Sequence, residues 1–169
     1  MMGPMNLLLI TDTHLGVGQA SILLDKLGPL LDEADAIVHA GDITDISILG
    51  ALSKHAPVHA VLGNNDRGVT LPERRMFDAG GCEVAIVHDS GPSAGRAARL
   101  RRWFPTADVV VFGHSHMPSY ETEVRADGHV QHQINPGSAI QRRRAPERTA
   151  AVVEVVDGAV IEVRHVALP

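Results

Sequence analysis

Short apolar runs at residues 7–10, 36–40, 58–62, 83–87 and 109–112 each stop abruptly at polar residues. Runs this short and this apolar read as strands buried on both faces, which requires a sheet covered by helices. Between the first two runs, Leu23, Leu27, Leu30 and Leu31 share one helical face that Gly28 and Pro29 interrupt. Ile48, Leu49 and Leu52 predict a second helix, and Ala97, Leu100 and Phe104 a third. Strands alternating with helices argue for βαβ units and a largely parallel sheet, an α/β fold.

The carboxyl half changes character. Residues 120–124 and 130–134 flank the turn signal ADGH, and residues 151–156 and 159–166 flank Asp157 and Gly158. These read as hairpins, so an antiparallel sheet is expected beside the first or as its extension. With 169 residues, no internal repeat and no linker, the whole chain, 1–169, is expected to form one domain.

Hydrophobic residues make up 44% of the chain and charged residues 21%, which argues against extensive disorder. A net charge of −5 argues against general nucleic-acid binding, and aromatics at 3% leave little for base stacking. No run approaches the ~18 apolar residues of a membrane span, and the amino end lacks the pattern of a secretory signal. Together with the lone Cys82, this makes the cytoplasm the expected compartment. Met1, Met2 and Met5 each offer a start.

The polar residues at the strand ends carry the chemistry. The first run is followed by Asp12 and His14, the second by Asp42, and the third by Asn64, Asn65 and Asp66. The fourth ends at His88 and the fifth at His114 and His116. In an open α/β sheet the carboxyl ends of parallel strands share one edge, so these residues can meet in one crevice. Two Asp, one Asn and four His exceed what a tetrahedral zinc needs. The mixed oxygen and nitrogen set suits two divalent ions such as Mn²⁺, Fe²⁺ or Zn²⁺, which Asp42 could bridge. Each signal is weak alone, since DxH, GD and HxH are common. Their succession, each after an apolar run, is the informative pattern.

That succession resembles the calcineurin-like metallophosphoesterase family: DTH at 12–14, GD at 41–42, GNND at 63–66, the single His88, GHSH at 113–116 and NPGS at 135–138. The short chain is most similar to the small prokaryotic phosphodiesterase branch, which the eukaryotic retromer scaffold subunit also resembles. The resemblance implies a four-layer α/β/β/α sandwich. It implies one metal on Asp12, His14 and His116, a second on Asn64, His88 and His114, and Asp42 bridging them. The expected ions are Mn²⁺ first, with Fe²⁺, Ni²⁺, Zn²⁺ or Mg²⁺ as alternatives. The activity implied is hydrolysis of a small phosphodiester, in which a hydroxide shared by the metals attacks phosphorus in line. The alternative is a protein-binding scaffold of the same fold, and a homo-oligomer stays open.

Two positions depart from the family pattern. Asn65 stands where a histidine often follows the ligand asparagine, and Asp89 stands where a glycine commonly follows the single histidine. Asn65 is the expected catalytic residue, able to donate a hydrogen bond but not a proton. Asp66, Arg67 and Asp89 are expected to brace the ligands or line the substrate rim. His39 reads as a hydrogen-bonded core residue, and His55, His59, His129, His132 and His165 as packing or surface residues. Arg96, Arg99 and Arg102 read as a solvated helix face, residues 135–138 as a structural turn, and Arg142, Arg143 and Arg144 as either rim or surface loop.

Overall fold

The structure, a computed structural model, describes residues 3–169, so the start positions Met1 and Met2 lie outside it. The first apolar run forms β1 (Met5–Ile10), and the leucine-rich face that follows forms α1 (Ala20–Leu27) and α2 (Pro29–Glu33), broken at Gly28 as expected. Next come β2 (Ala36–His39), α3 (Ser47–Leu52) and β3 (Val58–Ala60). A hairpin of β4 (Arg74–Ala79) and β5 (Cys82–Val87) leads to α4 (Arg96–Trp103) and β6 (Val109–Val111). The chain ends in the hairpins β7 (Ser119–Val124) with β8 (Val130–Asn135), and β9 (Arg148–Val156) with β10 (Ala159–Leu168).

The parallel strands do not share a single sheet, in contrast to the strand-end argument. One sheet has the order β10-β9-β1-β2-β3 and the other β4-β5-β6-β8-β7. Each takes parallel strands from the apolar runs and an antiparallel hairpin from the carboxyl half. β4 is an addition to the expected strands. Its sequence RRMFDA alternates exposed and half-buried positions, as an edge strand does.

Side-chain alternation explains the layers. Leu7 and Leu9 of β1 face Val84, Ile86, Val109 and Val111 across the space between the sheets. Leu8 and Ile10 face outward onto Leu23, Leu27, Leu31, Ile48 and Leu52 of α1, α2 and α3. Ala85 and Val110 of the second sheet meet Leu100 of α4, followed by Phe104. The result is an α/β/β/α sandwich, and both faces of each central strand are covered. Among the described residues no helix is long and apolar enough to cross a membrane.

Candidate metal centre

Although the strands belong to two sheets, the loops after β1, β2, β3, β5 and β6 meet at one end of the sandwich. Asp12 Oδ1 lies 3.5 Å from His116 Nε2, 3.8 Å from His88 Nε2 and 3.9 Å from His14 Nε2. Asp42 Oδ2 lies between His14 Nε2 at 3.4 Å and His88 Nε2 at 3.5 Å. Asn64 Oδ1 completes the far side, 2.9 Å from His88 Nε2 and 3.2 Å from His114 Nδ1. Two groups therefore offer ligand atoms around a common point, Asp12 with His14 and His116, and Asp12 with Asp42 and His88.

The donor set fits a cation. Asp12 Oδ1, His14 Nε2 and His116 Nε2 are buried and have no hydrogen-bond partner among the described residues. Buried polar atoms are otherwise nearly always paired, so three at one point call for an electrophile between them. Two of the rings at the centre are fixed through their other nitrogen: His116 Nδ1 donates to the main-chain oxygen of Gln141 at 2.6 Å, and His88 Nδ1 to that of Ala40 at 2.7 Å. Each bond sets the tautomer and aims Nε2 inward.

The backbone is bent to make this possible. Asp12, His14, Asp42, His114 and His116 all adopt positive φ, between 47° and 72°, a conformation costly for residues with a side chain. Two close approaches depend on glycine. A Cβ on Gly63 would lie 2.1 Å from Asp42 N, and one on Gly113 would lie 2.1 Å from Thr11 Oγ1.

Burial opposes ionisation of Asp42, yet the His88 ring and the backbone and side-chain N–H groups of Asn65 hold its pKa well below the usual carboxylate range. Burial pushes the His14 pKa down against the pull of Asp42 and Asp12, with the His116 ring and Arg143 adding to the fall. Burial also acts on His88, but Asp42, Asp12 and the Ala40 carbonyl raise its pKa.

The seven expected ligands are thus brought together. Asn65 turns its side-chain amide onto Asp42 Oδ2 at 2.7 Å, while its N–H reaches Oδ1 at 2.8 Å. Asp66 accepts from the N–H groups of Asp42, Thr44 and Gly63, which ties the second and third loops together. Arg67 is exposed. Asp89 is exposed at the rim and accepts from Gly91 N–H at 2.8 Å. Arg142 folds back onto the carbonyls of Ala145 and Pro146, leaving Arg143 as the member of that run whose charge reaches His14.

Two features escaped the sequence reading. The turn after β8 anchors the centre: Ser138 Oγ donates to the Asp12 carbonyl at 2.8 Å, and Asn135 Nδ2 reaches the Gly113 carbonyl at 3.2 Å. Arg99 is no solvated bystander, since its Nε donates to the Ser90 carbonyl at 2.7 Å and its Nη2 to that of Pro92, holding the loop that follows His88. The NPGS turn signal located the first, but helical spacing alone carried no sign of the second.

Residues 5–158 match the calcineurin-like phosphoesterase superfamily domain. The chain belongs to this superfamily. It is 34% identical over 113 residues to the protein named "Probable metallophosphoesterase" of Methanothermobacter thermautotrophicus, a match covering 64% of this chain and 65% of the relative. The chain therefore spans just under two-thirds of that relative's length. The fold resembles a conserved Streptococcus pneumoniae protein, with a TM-score of 0.74, 23% identity and coverage of 99% of this chain and 91% of the other. It also resembles Vps29 of Entamoeba histolytica, solved with Zn²⁺, with a TM-score of 0.66 and 22% identity over 96% and 99% of the two chains.

Proposed function

We propose that this chain is a phosphodiesterase that works with two divalent metal ions. Asp12, His14 and His116 would hold one, Asn64, His88 and His114 the other, and Asp42 both. The observation that carries the proposal is the trio of buried, unpartnered ligand atoms on Asp12, His14 and His116. When bound, such a metal pair supplies an activated water and positive charge against the phosphoryl oxygens.

The chain's own residues do the rest. The Gln141 and Ala40 carbonyls hold the His116 and His88 rings in the ligand tautomer. Asn65 keeps the Asp42 carboxylate ionised and oriented, and its amide can donate to a phosphoryl oxygen but cannot protonate a leaving group. Arg143, beside His14, adds positive charge on the first-metal side of the rim. Mn²⁺ is the first ion to test. We take 1–169 as one domain acting in the cytoplasm, on small phosphodiesters.

Stripped protein given Mn²⁺, Fe²⁺, Ni²⁺, Zn²⁺ or Mg²⁺ singly, with an activated aryl phosphodiester, tests this reading. Turnover is expected only with metal and is abolished by chelation. A folded, metal-loaded protein without turnover under any ion would transfer the assignment to a binding scaffold of the same fold.

A further inference from the structure

Next to Asn64 and His88 the surface sinks into a cavity of about 460 Å³, with Glu73, Arg74 and Asp89 also on its wall. This is the size of a small-ligand site. Because the cavity begins at two of the seven residues that close on the centre, one ester arm of a phosphate held there would extend into it.

The wall is polar in a defined way. Arg74 lays its guanidinium over the Trp103 ring at 4.3 Å, with Phe104 at 5.6 Å. Stacking uses the face of the cation and leaves the N–H edge free, and among the described residues no hydrogen bond or ion pair engages it. Asp89 commits Oδ1 to Gly91 N–H and keeps Oδ2, while the exposed Glu73 has no partner among the described residues. Asp66, also on the wall, is occupied through both oxygens by three backbone N–H groups.

The Arg74 N–H edge, the Glu73 carboxylate and Asp89 Oδ2 discriminate among ester arms. An additional anionic group meets a net negative wall, and a quaternary ammonium, although drawn by that charge, offers no N–H or O–H to the carboxylates and no acceptor to Arg74. Neutral hydroxyls satisfy both kinds of partner, accepting from the guanidinium and donating to the carboxylates. We propose that this cavity receives a hydroxyl-bearing ester arm, so that the substrate is a polyol or sugar phosphodiester, with Arg74 and Asp89 setting the preference. The proposal rests on the phosphodiesterase reading for the reaction, while the pocket itself can be tested by binding.

The test compares the 4-nitrophenyl phosphodiesters of methanol, glycerol and choline in wild type, Arg74→Met and Asp89→Asn. Met retains an apolar contact with Trp103, and Asn retains the acceptor for Gly91. The expected result is a kcat/KM for the glycerol ester about tenfold or more above that for the methyl ester, as hydrogen bonds to charged groups allow. The choline ester gains less than the glycerol ester, and the glycerol-to-methyl ratio falls toward one in both variants. Equal values for all three esters, a choline preference, or a ratio that survives both substitutions would overturn the proposal. If wild type cleaves none of them, the phosphodiesterase reading fails separately, and calorimetry of the Mn²⁺-loaded protein decides the pocket. Tighter binding of glycerol 3-phosphate than of methyl phosphate, lost in Arg74→Met, would uphold it; equal binding, or binding of neither, would overturn it.

Discussion

His116 donates through Nδ1 to the Gln141 carbonyl at 2.6 Å, and by that bond its Nε2 faces Asp12 Oδ1 across 3.5 Å. In the proposed centre, metal affinity on the His14 side would therefore depend on a main-chain atom far along the sequence. Ser138 holds that atom in place, because its Oγ accepts from the N–H groups of Ile140 and Gln141 while donating to the Asp12 carbonyl.

Ser138→Ala should accordingly weaken metal binding without touching a ligand. The expected loss is about 10- to 100-fold, the usual cost of removing support behind a ligand. Metal titration by calorimetry checks it, and an unchanged affinity would mean that the Gln141 loop holds its shape unaided.

Asp42→Asn should weaken both metal positions together, since Oδ2 lies 3.4 Å from His14 Nε2 and 3.5 Å from His88 Nε2. His14→Ala should reduce chiefly one. Elemental analysis after dialysis distinguishes them, and two tightly held ions in Asp42→Asn would remove Asp42 from the bridge.

Gly63→Ala should be severe. Its Cβ would collide with Asp42 N at 2.1 Å and Oδ1 at 2.2 Å, where a hydrogen-bonded loop leaves little room to yield. A loss of about 3 kcal/mol or more is expected by urea denaturation, in line with overpacking at a rigid site. Gly50→Ala, with open space around it, is the control.

His39 makes stability depend on pH. Its Nδ1 accepts from Gly41 N–H at 3.2 Å, so Nε2 carries the proton and donates to Thr13 Oγ1 at 3.0 Å. Burial, with the His88 ring nearby, pushes its pKa down from 6.5 to about 3. Below about pH 6.5 the unfolded chain binds a proton that the folded chain refuses, so stability falls as pH drops from 6.5 toward 3 and is unaffected above that window. The slope reaches about 1.4 kcal/mol per pH unit. His39→Asn, which can still accept from Gly41 but does not titrate, should be less stable at pH 8 yet lose less on acidification. Parallel stability curves for the two proteins would show that His39 is not the group responsible.

The strand ends were the legible part of this chain. A buried run stopping at Asp12 or His114 marks its own position, because apolar residues on both faces leave few alternatives and the polar residues that follow must point beyond the sheet. The division into two sheets was not legible, since a run such as 83–87 looks the same whichever neighbour it pairs with. β4 was hidden by Arg74 and Arg75, which an edge strand tolerates and an apolar-run criterion rejects. Asn65 was identified by its place after Asn64, but its bond to Asp42 is a contact across 23 positions that no local pattern encodes.

The left-handed backbone at Asp12, His14, Asp42, His114 and His116 makes five neighbouring residues of one centre conformationally expensive at once. A cation that binds only this arrangement would offset that cost by mass action. On the proposed function, the chain would thereby become a reporter of its own metal supply. When ions are scarce, the loops at this end of the sandwich should open first and be cut first by proteases, so starvation for metal would shorten the protein's lifetime.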